Sequence, residues 1–262
     1  MDPQFEIAKS SMPVALSVNV NKIATLRNSR GGAVPGVIAA IDTCLDAGAH
    51  GITVHPRADE RHIRRADVFE IASHLGARNG AGRGRAEFNI EGDPVEAFVD
   101  LVLQVKPDQC TLVPVTPGEI TSHAGWPADA RSAFLPAVVA RLKDAGIRVS
   151  VFIDPTLEAV GWAATTGADR VELYTEPFAR AFQQGSASGR DSFAAYSAAA
   201  RLARDLGLGV NAGHDLDLDN LVLFRDLPYL DEVSIGHALI SHALWVGLAA
   251  SVRDYLDVLA PA

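Results

Sequence analysis

The sequence predicts an α/β protein, a (β/α)8 (TIM) barrel with a few additional helices, and three observations lead there. Strand-like and helix-like segments alternate from Pro13 to the end without a break in composition. The strands are short continuous runs of Val, Ile and Leu, which fits parallel strands buried on both faces. Polar motifs recur directly after those runs, where loops at the carboxyl ends of barrel strands build active sites. The competing architecture is a doubly wound open sheet, but no GxGxxG or P-loop motif follows the first strand.

Eight strands are expected, near 14–18, 51–54, 86–90, 109–113, 147–152, 169–173, 208–211 and 232–235. Helical patterns such as VPGVIAAIDTCLDAG, PVEAFVDLVLQV, AFLPAVVARLKDAG and SFAAYSAAARLARDLG lie between them. Several end in Ala-Gly or Leu-Gly just before the next strand, as a glycine cap does. The stretch from Thr175 to Arg190 exceeds a barrel loop and is rich in Ser, Gly and Gln. It reads as an extra turn of helix or a mobile lid over the site.

Residues 13–262 read as a single barrel domain and residues 1–12, which lack the apolar core of a signal peptide, as a disordered leader. A length of 262 residues suits one barrel. The net charge of -9 argues against a nucleic-acid or anionic-membrane partner. It leaves room for small phosphorylated ligands, held by a few Arg side chains and helix N-termini. Cys44 and Cys110 stand in unrelated contexts and read as buried small apolar residues. No apolar run approaches a membrane span, so the cytoplasm is the default location.

At the end of strand 1, Asn19 and Asn21 lie one strand period apart and point to the same side. They read as hydrogen-bonding residues or simply as turn formers. Lys22 and Arg27 add positive charge, and Arg27 suits bidentate contact with a carboxylate or phosphate. His55 ends strand 2 and exchanges protons near neutrality, with Arg57 and His62 on the same loop. Most charges in the run from Arg57 to Arg65 read as a solvated, salt-bridged turn.

Glu91 ends strand 3 and is a plausible general base whose pKa burial raises. Glu172 sits inside strand 6, where an unpaired charge is costly. It is expected either to pair with a positive group across the barrel or to orient a catalytic one. Asp154 is read as a helix N-cap before Pro155. After strand 7 comes Asn211-Ala212-Gly213-His214, and either Asp215 or Asp217 is expected to cap the next helix. Gly236-His237 opens the last unit as a phosphate cradle at a helix N-terminus. His50, His74, His123 and His242 read as helix, loop or surface residues.

With these residues in hand, the chain resembles the pyridoxine 5′-phosphate synthase family of deoxyxylulose-dependent vitamin B6 biosynthesis. The motifs that carry it are Asn19 with KIATLRNSRGG, Gly51-Ile52-Thr53-Val54-His55-x-Arg57 with ERHI, Phe88-Asn89-Ile90-Glu91, Val210-Asn211-Ala212-Gly213-His214 and Ile235-Gly236-His237-Ala238. The resemblance implies condensation of 3-amino-2-oxopropyl phosphate with 1-deoxy-D-xylulose 5-phosphate, giving pyridoxine 5′-phosphate, phosphate and water. It implies no metal or organic cofactor and assembly as a homo-octamer. By position, His55 and Glu91 resemble the family's proton acceptors and His214 its donor. Asn19, Arg27, Arg57, His62, Thr121, Gly236 and His237 resemble its substrate and phosphate contacts. Asn21, Lys22, Glu172 and Asp215 join them as expected site residues.

The chain departs from the family's usual pattern at three places. Asn21-Lys22 replaces Asp-His, Val115-Thr116-Pro117 replaces charged residues after the strand-4 Val-Pro, and Asp215 replaces a glycine. Two other readings compete. One is a metal-dependent barrel lyase or isomerase in which His55, Glu91 and His214 bind a divalent ion. The other is a non-catalytic sugar-phosphate-binding relative.

Overall fold

The structure of the protein, a computed structural model, describes residues 13–82, 84–115, 123–129 and 132–261. The expected leader, residues 1–12, lies outside them. The eight strands are β1 (Ala15–Asn19), β2 (Gly51–Val54), β3 (Glu87–Gly92), β4 (Gln109–Leu112), β5 (Arg148–Ile153), β6 (Arg170–Tyr174), β7 (Gly209–Gly213) and β8 (Leu230–Ile235). All neighbours pair in parallel, and β8 closes on β1 to complete the barrel in sequence order. Each observed strand lies within two residues of its expected position.

The strands alternate more than their apolar runs suggest. Leu16, Val18, Ile52, Val54, Ile90, Val149, Val151, Val171 and Val233 join the apolar layer under the helices. The residues between them face the barrel interior, and most are polar. The Ser17 and Thr53 hydroxyls share a hydrogen bond of 2.7 Å. Thr111 Oγ1 donates to Asn89 Oδ1 at 3.1 Å, and an Arg170 N–H donates to Asn211 Oδ1 at 3.0 Å. Barrel interiors are usually filled by branched apolar side chains. Both faces are buried here, as expected, but the inner face is built from hydrogen-bonding groups.

The helices cover the outside and fix where the loops begin. The helix α1 (Asn21–Asn28) starts two residues after β1, followed by α2 (Val37–Asp46), α3 (Arg65–Gly80), α4 (Glu96–Val105) and α5 (Leu135–Asp144). The next, α6 (Leu157–Thr165), is capped by Thr156, whose side chain accepts the Ala159 N–H at 3.1 Å. Asp154 is therefore not the cap. Its Oδ1 instead accepts the Gly125 N–H at 3.2 Å, tying two loops together.

The Thr175–Arg190 stretch is helical, forming α7 (Glu176–Gln183) and the start of α8 (Ser186–Asp205). It is an added helix, not a lid. Phe178 of α7, Tyr196 of α8 and Phe224 of α9 (Leu218–Phe224) pack with ring centroids 4.9–5.9 Å apart. Tyr196 Oη donates to the Tyr174 carbonyl at 2.6 Å, pinning this cluster to the end of β6. Asp217 caps α9 in a reciprocal box with Asn220, as one of the two aspartates was expected to. The last helices are α10 (His237–Val246) and α11 (Leu248–Leu259). Among the described residues no helix is long and apolar enough to cross a membrane.

Candidate active site

A cavity of about 480 Å³ opens at the carboxyl ends of the strands. Among the described residues, every expected site residue lines it except Arg27. Thr121 lies outside the described residues. Asn19 comes from the end of β1, Asn21 and Lys22 from the first turn of α1, and His55, Arg57 and His62 from the loop after β2. Glu91 and Glu172 stand in β3 and β6, His214 and Asp215 follow β7, and Gly236 and His237 join β8 to α10. Gly236 permits that junction. A Cβ there would stand only 3.0 Å from the Asn19 Cβ.

Around the buried His55, the loop ends are fastened by asparagines. Asn21 Oδ1 accepts the His55 backbone N–H at 3.0 Å, and Asn19 Oδ1 accepts the Asn21 N–H at 3.1 Å. Asn19 Nδ2 in turn donates to Glu91 Oε2 at 3.4 Å. His55 Nδ1 stands 3.8 Å from that same carboxyl oxygen. The turn-forming and hydrogen-bonding readings of these asparagines are thus the same thing: each makes the turn by bonding across it.

Burial sets the protonation of this pair. It pushes His55 down to about 3, helped by the positive charge of Arg57 and the neighbouring His62. It pushes Glu91 up to about 8, reinforced by Glu232 and opposed by a Ser234 hydrogen bond and by Arg57. At neutral pH a protonated carboxyl therefore faces a neutral imidazole, not an ion pair. His62 is likewise lowered, to about 4, by burial, Arg57 and Lys22. Its Nδ1 accepts the Ile63 N–H at 2.9 Å, which leaves the ring proton on Nε2.

Two expectations need correction. Arg27 does not line the cavity. Its guanidinium grips Asp67 bidentately at 2.7 and 2.8 Å and donates to the His62 carbonyl at 3.2 Å. It braces the loop that carries His62, because a carboxylate from α3 reaches it first. Of the two roles expected of Glu172, pairing with a positive group does not hold among the described residues, where its Oε2 is buried without a hydrogen-bond partner. Its pKa is raised well above the usual carboxylate range by burial and by Glu91, so protonation, not pairing, removes the cost of its charge.

Sequence reasoning missed Ser234, Phe152 and Arg61, all of which line the cavity. Ser234 and Phe152 lie inside strands, with nothing but period-two spacing to mark them as inward. Arg61 belongs to the charged turn expected to be salt-bridged, and it pairs with Asp59 at 2.6 Å. His214 is walled by the rings of Tyr174 and Phe152, with centroids 5.2 and 6.2 Å away. Among the described residues no group of three His, Cys, Asp or Glu side chains is placed to hold a metal ion.

A family model described as pyridoxal phosphate biosynthesis protein PdxJ matches residues 16–261. The chain belongs to this family. A pyridoxine 5′-phosphate synthase of Leptospira biflexa is 52% identical over 250 residues, covering 93% of this chain and 96% of that protein. One of Bacteroides fragilis is 53% identical over 245 residues, covering 93% and 98%. Solved structures with lower identity share the barrel alone. A native KDPGal structure has a TM-score of 0.58 at 13% identity, covering 95% of this chain and 96% of the other. Tryptophan synthase of Mycobacterium tuberculosis has a TM-score of 0.59 at 16% identity, covering 95% and 94%. In this PdxJ-family member, then, the conspicuous polar residues of the sequence lie at the one mouth where such a barrel does its chemistry.

Proposed function

We propose that the chain catalyses pyridoxine 5′-phosphate synthesis, condensing 3-amino-2-oxopropyl phosphate with 1-deoxy-D-xylulose 5-phosphate and releasing phosphate and water. Family membership supports the reaction, and the convergence of His55, Glu91 and His214 on one cavity carries it. Imine formation, dehydration and aldol-type closure each move a proton, and the departing phosphate needs its charge held. Lys22, Arg57, Arg61 and the N-terminus of α10 at Gly236 and His237 supply positive potential on the cavity wall. Asn19 and Glu172 are the polar groups left to orient the substrates, while Asn21 holds the His55 main chain and Asp215 stands against His214.

His55 and His214 keep the roles of acceptor and donor. Glu91 starts differently from a simple base. It holds a proton in the free site, so it gives one up before it accepts one. Arg27 acts through the His62 loop and not by touching phosphate. We also propose a cytoplasmic homo-octamer that needs no metal or organic cofactor.

The test is incubation of the purified full chain with both phosphates in the presence of EDTA, with the pyridine chromophore and free phosphate followed together. Stoichiometric appearance of both is expected. Binding of deoxyxylulose phosphate with no product over long incubation would overturn the reading. Light scattering of the same preparation gives the assembly state.

A further inference from the structure

We infer that Asp215 is a positioning residue for this reaction, holding the His214 imidazole with its proton on Nδ1 so that Nε2 faces the substrate. The inference rests on the synthase reading above. The carboxylate Oδ2 of Asp215 stands 3.2 Å from His214 Nδ1. An ionised carboxylate only accepts, so the ring nitrogen beside it must donate. Hydrogen bonding to His214 also holds the Asp215 carboxyl below its usual range, keeping it ionised.

The backbone is shaped to make this contact. His214 and Asp215 have φ of 92° and 57°, two consecutive non-glycine residues in left-handed territory. The step is fastened on both sides. Thr175 Oγ1 donates to the carbonyls of Gly213 and His214, and Asn220 Nδ2 donates to the Asp215 carbonyl at 3.0 Å. Tyr174 stands edge-on to the imidazole, and Phe152 is tilted against it. A ring caged in this way keeps its place but still has two tautomers, and Asp215 selects one of them.

The proton balance is simple. The Nε2–H bond of the imidazolium breaks toward a departing hydroxyl or phosphate oxygen, its electron pair stays on Nε2, and the leaving group departs neutralised. The Nδ1–H stays with Asp215, which takes no proton itself. The other ionisable groups around this pair are His55 at the end of β2, Glu172 and Tyr174 of β6, and His237 at the start of α10. Asp154 and Glu176 act on Tyr174. Asp215 is a carboxylate in contact with the ring, at 3.2 Å from Nδ1.

The test uses Asp215→Asn, which removes the charge but tolerates a left-handed backbone, and Asp215→Gly, which also frees that backbone. In both, kcat is expected to fall roughly tenfold with the KM of both phosphates within about twofold of wild type. Nitrogen NMR of the labelled wild-type protein should show the neutral His214 ring protonated at Nδ1, and the glycine variant should show mixed tautomers. A glycine variant whose His214 tautomer is unchanged, or a rise in KM alone, would overturn the inference. If the wild type makes no product, the synthase reading fails, while the tautomer spectrum still decides the role of Asp215.

Discussion

The side chain of Asn21 holds the main chain of His55: its Oδ1 accepts the His55 N–H at 3.0 Å, across the gap between the first two strand ends. The bond ties the start of α1 to the residue whose imidazole stands 3.8 Å from Glu91. Asn21→Ala is therefore expected to lower kcat about tenfold through misplacement, with KM changing less. Asn21→Asp keeps an accepting oxygen and should recover most of the rate. Steady-state kinetics on the two variants checks this, and a pure KM effect would assign Asn21 to substrate contact alone.

Glu91 and His55 predict the pH profile. With Glu91 raised to about 8, the free site holds its proton at neutral pH, and kcat/KM should fall as pH rises through that value. His55, lowered to about 3, stays a neutral acceptor over the working range. Glu91→Gln and His55→Asn are each expected to cost about 10²–10⁴ in kcat without loss of fold. The residual rate of Glu91→Gln should lack the limb near 8. Full activity in either variant refutes the assigned chemistry.

Arg27 predicts a stability effect. It is buried against Asp67, and removing it leaves that buried carboxylate with only the Arg64 backbone N–H and the more distant Arg64 charge to hold it. Arg27→Ala should lose on the order of 3–5 kcal/mol of folding free energy. Arg27→Ala/Asp67→Ala should lose less than the two single changes added together. Denaturant melts of the three variants measure it. If Arg27→Ala instead leaves stability intact and raises KM, Arg27 binds phosphate.

Glu232 predicts pH-dependent stability. Burial and Glu87 push it up to about 8, against Arg170 and Arg148, so between about 4.5 and 8 the folded chain keeps a proton that the unfolded chain has lost. Its contribution is therefore full below the unfolded value and is lost as pH rises through 8. Glu232→Gln should stabilise the protein at pH 8.5 relative to pH 5, by on the order of a few kcal/mol. Melting temperatures across that range decide the matter, and a constant difference would count against it.

The strands and their ends were legible because apolar runs and the polar residues that stop them are local features. The site followed from them, since a barrel brings all its strand ends to one mouth. What escaped depended on partners distant in sequence. Nothing near Arg27 announces that Asp67, 40 residues on, occupies its guanidinium. Pro155 points to a helix start but does not say whether Asp154 or Thr156 caps it, and Thr156 has the geometry. Ser234 and Phe152 escaped because a residue inside an apolar strand shows its direction only once the register is known.

The polar lining of the barrel has a thermal consequence. Unfolding this chain wets hydroxyls, amides and carboxyls where most such barrels would wet hydrocarbon, and polar hydration lowers heat capacity as apolar hydration raises it. Its unfolding increment per residue should fall below the usual range of about 12–15 cal/mol/K, giving a flatter free-energy curve against temperature. The groups that make the mouth reactive would then also make the molecule less prone to loosening in the cold.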